Sequence, residues 1–361
     1  MHPLTSRTPA PASSERAAAA VPRAAGGRDP YFDNAKYLAI VLVAMAHSWE
    51  PLPGSGRIVE TLYTFVYIFH MPVFILIAGY FSRSFDLRPE RVWKLVTSLV
   101  VPYVIFEIAY TAFARATADP EFPLSPLTPF WLLWFLPALF LWRLTTPIWQ
   151  TLRWPLTVSL IIAAMGSVTS NIGSTLELQR VLQFLPFYVL GLRLRPEHFD
   201  LVRRRIVRVL SVPVVLIALV AAYWAVPRMT TSWFFRRYGA EQMGQPAWTG
   251  AVMTLLLFGC SLILCACFLA WVPRRWLWMT TLGAATLYGY LLHGFVIRFA
   301  VDRGMYDLPV FATPTGRIAL TLAAAGMVSL LCASPVRRVF RYAVEPRMDW
   351  AMKPHPANRA G

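Results

Sequence analysis

The chain has 361 residues, of which 57% are hydrophobic, 14% charged and 14% aromatic. An apolar share above the roughly 45–50% of soluble domains excludes a disordered chain and an ordinary soluble one. The formal net charge of +16 would by itself point to nucleic acid, but the placement of the basic residues argues against that partner.

In chain order, residues 1–30 are rich in Ala, Pro and Ser with scattered Arg and lack the apolar core of a secretory signal, so they read as a disordered cytoplasmic tail. A spanning helix needs about 20 mostly apolar residues. Ten stretches near that length follow, at about 37–53, 61–81, 95–114, 128–144, 154–170, 181–192, 209–226, 249–271, 280–300 and 316–334. The fourth is crowded with Trp131, Trp134 and Pro137, and the sixth is short. Together they predict an all-α, polytopic membrane domain of about ten transmembrane helices over 31–345, followed by a cytoplasmic tail at 346–361. No internal repeat is visible, and no extracytoplasmic hydrolase-like domain is expected after the last span. Cys260, Cys265, Cys267 and Cys332 lie in apolar runs without metal-ligand spacing and read as small buried hydrophobes, so no metal is expected.

With the N-terminus inside, the inside segments hold 24 of the 34 basic residues and the outside segments 8. This bias predicts that both termini are cytoplasmic and that the number of spans is even.

Ionisable residues inside spans cost about 2.5–3.5 kcal/mol each on insertion scales and are functional candidates by default. They are His47 in the first span, His70 in the second, Glu107 in the third, and His293 with Arg298 in the ninth; His2, His198 and His355 fall in tails or loops. Lys36 and His47 are eleven residues apart, about three helical turns, which puts them on one face about 16 Å apart, with His47 expected well inside the membrane. Pro72, two residues after His70, frees a carbonyl within the second span, and His70 is a candidate to satisfy it. Gly79 permits close helix packing. Thr286, Tyr290 and His293 recur at spacings of four and three, a polar stripe suited to a hydrated cavity.

A neutral imidazole is the commonest base for deprotonating a hydroxyl. At the cytoplasmic rim Lys36, Arg83 and Arg91 can engage a phosphorylated donor, although arginines beside spans are also the ordinary topology signal. No phosphate-binding, dinucleotide-binding, zinc-protease or serine-hydrolase motif is evident.

The block Tyr31-Phe32-Asp33-Asn34-Ala35-Lys36, followed by His47 in a basic-x10-His spacing, resembles the acyltransferase 3 family of membrane O-acyltransferases, most closely its fucose 4-O-acetylase-like branch. The likeness continues through Phe69-His70-Met71-Pro72, Gly79-Tyr80-Phe81, Trp134-Phe135-Leu136, the run Gln183 to Tyr188 with Gly191, and Thr286 to His293. It implies a cell-membrane enzyme that moves an acyl group, usually acetyl from cytoplasmic acetyl-CoA, to a hydroxyl of a sugar, glycan or glycosylated metabolite on the far side. On that likeness His47 is the essential histidine, as base or acyl carrier, and Lys36 holds a place often taken by Arg. Arg83 corresponds to a basic position after the Gly-aromatic motif, where this chain has Ala78 in place of the usual Ser. His70 and His293 are expected as its partners, Arg91 beside the donor, and Asp33, Glu107, Trp134 and Tyr290 as binding or orienting groups. The competing classes are a transporter or exporter of a glycan, against which no repeat or paired broken helix is found, and a scaffold, which leaves three costly histidines unexplained.

Overall fold

The computed structural model describes residues 28–169, 172–173 and 175–351. The tail expected over 1–30 therefore lies outside the described residues apart from its last three, as do 352–361 of the second tail, with His2 and His355. Among the described residues there is no strand. The helices that carry the apolar runs are α1 (Pro30–Trp49), α2 (Gly56–Phe81), α3 (Pro89–Thr117), α4 (Trp131–Leu144), α5 (Pro155–Val168), α6 (Leu178–Arg193), α7 (Arg205–Ala225), α8 (Ala247–Trp271), α9 (Thr286–Asp302) and α10 (Pro314–Leu331). Five of them, α2, α3, α7, α8 and α10, are long and apolar enough to cross a membrane.

Side-chain bonds fix the directions of the helices. The start of α1 meets the end of α8, where the Tyr31 hydroxyl donates to the Leu269 carbonyl at 2.9 Å. It also meets the end of α2, where Phe32 stacks on Tyr80 at 5.1 Å. Tyr37 bonds Ser329 near the end of α10 at 2.7 Å, while Arg317 at the start of α10 donates to the Ser55 carbonyl at the other end of α1. The bundle thus has a Lys36 end and a Glu50 end.

The first helix is displaced from the apolar run that announced it. The Asp29 side chain accepts the Tyr31 N–H at 2.9 Å and Pro30 sits in the first turn, so the helix starts early. It ends at Trp49 because Pro51 and Pro53 cannot continue it. His47 consequently lies in the last turn of α1, toward the Glu50 end, and not in the middle of the helix.

Two details of α2 explain its packing. A Cβ on Gly79 would collide with the Tyr188 carbonyl and one on Gly191 with the Leu76 carbonyl, so only this glycine pair lets α2 and α6 touch backbone to backbone. The carbonyl freed by Pro72 is that of Ile68, and the Ser261 hydroxyl of α8 donates to it at 2.6 Å. His70 takes no part in that repair, since its Nδ1 faces the Val66 carbonyl at 3.0 Å.

The ninth apolar run is not one helix. A short helix, Trp278–Gly283, ends where Gly283 lies against the backbone carbonyl of Asp33, and α9 starts afresh at Thr286. Of the cysteines, 265, 267 and 332 are buried and Cys260 is exposed on α8.

Candidate active site

A cavity of about 340 Å³ opens at the Glu50 end between α1, α2, α4, α6 and α9. From α1 come Ile40, Val43 and His47, spaced by three and four residues, and Lys36 is the next residue down the same face. From α2 come Tyr67, His70, Met71 and Phe74; from α9, Thr286, Leu287 and Tyr290. Trp131, Trp134, Phe184 and Phe235 supply aromatic walls.

His47 is 7% exposed, and its Nδ1 lies 3.2 Å from an oxygen of Glu50, in the turn after α1. A carboxylate only accepts, so Nδ1 carries the hydrogen and Nε2 keeps its lone pair for the cavity. Burial raises the Glu50 carboxyl, but the hydrogen bond from His47 and the charges of Arg298 and Arg180 outweigh burial and hold it below the ordinary carboxylate range. Glu50 stays ionised and orients the imidazole through Nδ1.

The other two histidines are arranged by their own helices. His70 lines the cavity, its ring 4.7 Å from that of Tyr67, which in turn lies 6.1 Å from His47. His293 is fully buried with its ring 5.5 Å from His47, its Nδ1 held by the Gly289 carbonyl at 2.9 Å, and its Nε2 without a partner among the described residues. The three imidazoles expected from sequence do converge, with His293 behind the cavity wall. Thr286 and Tyr290 reach the cavity as the stripe implied, and the Tyr290 hydroxyl donates to the Leu132 carbonyl.

The remaining sequence candidates divide. Trp134 is on the wall, stacked on Phe184 at 5.5 Å. Glu107 is not on it; its buried carboxylate accepts the Phe130 N–H at 2.9 Å and anchors the entry to α4. Asp33 is 2% exposed and pairs with Lys36 at 2.8 Å and with Arg28, so it orients Lys36. None of Lys36, Arg83 and Arg91 lines the cavity. Arg83 donates to the carbonyls of Tyr80 and Leu194, and it lines a depression of about 450 Å³ with Arg193, Arg195 and His198 at the Lys36 end. Arg91 pairs with Asp86 at 3.4 Å outside that depression.

Several groups escaped the sequence reading. Glu50 was within reach, three residues after His47 and hence on its face. Trp131, with its ring 4.8 Å from His47, has φ of 35°, a conformation rare for a bulky residue, and the Arg298 guanidinium lies 4.9 Å from the same ring. Arg180 and Arg237 also line the cavity, and nothing in the local sequence marks Arg180.

The pattern of the family described as an acyltransferase domain matches residues 29–334. The chain is similar to nodulation protein NolL of Mesorhizobium japonicum, 27% identical over 190 residues covering 47% of this chain and 48% of the relative. It is similar to nodulation protein NolL of Sinorhizobium fredii, 27% identical over 183 residues covering 46% of this chain and 49% of the relative. The chain thus spans about half the length of the curated relatives it matches. No solved structure matches.

Proposed function

The chain belongs to the acyltransferase 3 family, and on that premise we propose that it is a cell-membrane O-acyltransferase that moves an acetyl group from cytoplasmic acetyl-CoA to a sugar hydroxyl at the extracytoplasmic side. The observation that carries the reading is the His47–Glu50 pair facing an aromatic cavity, with Nδ1 at 3.2 Å from the carboxylate. In this reading Nε2 of His47 takes the proton of the acceptor hydroxyl as the oxygen attacks the thioester carbonyl. Collapse of the tetrahedral adduct breaks the carbon–sulfur bond, and the departing thiolate receives the proton from the imidazolium. His70 lies on the same cavity and His293 backs His47, so both fit positioning roles.

The excess of basic residues in the segments at the Lys36 end supports placing that end in the cytoplasm, where the depression lined by Arg83, Arg193 and Arg195 suits the phosphates of the donor. Along the α1 face from Lys36 through Ile40 and Val43 to His47, the donor end and the proposed base are about 16 Å apart. Arg91 is assigned to the topology signal. Aromatic walls at the Glu50 end suit the flat faces of a sugar.

The test is transfer of radiolabel from acetyl-CoA in membranes that contain the chain or His47→Ala. Loss of CoA release and of labelled acceptor, with unchanged membrane expression, is expected; retained transfer removes His47 from the chemistry. Flux of a substrate without CoA release would favour transport instead.

A further inference from the structure

The mouth of the cavity gathers more positive charge than the protein neutralises. Arg180, in the first turn of α6, and Arg237, between α7 and α8, both line the cavity. Glu177 is 3% exposed and divides its two oxygens between them, 2.9 Å to Arg237 and 3.6 Å to Arg180. Arg236 lies behind the wall, 4% exposed, its guanidinium 4.9 Å from the Phe184 ring and donating to the Gln183 carbonyl at 3.1 Å. Glu50, the carboxylate that lines the cavity itself, is bonded to His47 and also feels the charge of Arg180.

Three guanidiniums set against the two carboxylates Glu177 and Glu50 leave an excess of one positive charge in a largely apolar setting, and such an excess is costly unless an anion completes it. Burial alone pushes the Arg236 guanidinium down to about 9. The cluster is also held in place at some expense. Glu177 and Arg236 both adopt φ of 52°, and Arg180 is clamped between the Trp134 ring at 5.1 Å and the Phe235 carbonyl at 3.1 Å. A planar guanidinium fixed on an aromatic face, with further N–H groups beyond those given to Glu177, is built for bidentate capture of an oxyanion.

We propose that Arg180 and Arg237 form a subsite for an anionic group, a carboxylate or a phosphate, so that the acceptor is an acidic sugar or a sugar phosphate. The inference rests on the acyl-transfer reading for the word acceptor; the anion subsite itself does not. Arg180 and Arg237 select the acceptor and hold its hydroxyl toward His47, while Glu177 keeps the fork in shape before the anion arrives.

The experiment is titration of the purified full chain, followed by tryptophan fluorescence from Trp131 and Trp134, with D-glucuronate, glucose 1-phosphate and D-glucose. At least one anion is expected to bind ten or more times more tightly than glucose, and the tighter of the two distinguishes carboxylate from phosphate. Arg180→Gln and Arg237→Gln should each remove most of that preference, with Arg180→Lys, which keeps the charge but not the fork, in between. Arg228→Gln, remote from the cavity, serves as the control and should bind like the unaltered chain. Equal affinities for glucose and both anions, no binding of either anion, or an anion preference that survives both glutamine variants would each overturn the subsite. His47→Ala should retain the anion preference, so a failure of the base assignment and a failure of the subsite give different results.

Discussion

Helices α1 and α7 have similar lengths and opposite surroundings. Helix α7 is among the most apolar in the chain, yet Ile217 and Val220 are 67% and 70% exposed and few of its residues are buried. Helix α1 carries Asp33, Asn34, Lys36, His47 and Ser48, and most of it is buried. For α7 hydrophobicity describes a face that the rest of the protein leaves exposed, on a helix long and apolar enough to cross a membrane. For α1 polarity is tolerated because other helices answer it: the Asn34 amide donates to the carbonyls of Pro273 and Arg275 and its oxygen accepts from Thr280 at 2.7 Å. The helix that holds the proposed base is therefore among the less lipid-like, and its polar groups are arranged by protein contacts.

Substitutions can break or sharpen this contrast. The largest effect is expected at His47→Ala, where loss of a general base lowers kcat about a thousandfold in the acetyl-transfer assay. Glu50→Gln keeps the shape but removes the charge that fixes the imidazole tautomer, and should lower kcat about a hundredfold with little change in KM. Ala44→Leu, at a fully buried position of α1, should cost about 1–3 kcal/mol of stability by overpacking, read as a lower melting temperature in detergent. Ser261→Ala leaves the Ile68 carbonyl unanswered and should cost about 1 kcal/mol. Restoring the N–H with Pro72→Ala in that background should recover most of the loss, and no coupling in the double-mutant cycle would sink the account of Ser261. Ala221→Leu, exposed on α7, should shift stability by less than about 0.5 kcal/mol. If Ala221→Leu and Ala44→Leu are equally damaging, the contrast between the two helices is wrong.

The proposed site was partly legible before the fold. Lys36 and His47 share a face because helical periodicity alone puts them there, and Ile40 and Val43 between them on that face line the cavity. The ionisable residues were found by their cost in an apolar run. What they do was not legible: His47, His70 and Tyr290 reach the cavity, whereas Glu107 anchors α4 and Asp33 holds Lys36. A buried carboxylate looks the same in sequence whether it faces a ligand or a backbone N–H.

The sequence by itself determined the all-helical class, the apolar runs and the polar residues among them, since each depends only on local composition and periodicity. Tertiary structure decided which polar groups meet. The Arg180–Glu177–Arg237 cluster, the strained Trp131 against His47, and the Ser261 hydroxyl over the gap left by Pro72 join segments far apart in the chain. The physical reason is that a helix fixes the spacing of its own side chains, while the partner of each is set by how neighbouring helices pack, through contacts such as the backbone approach of Gly79 to Gly191.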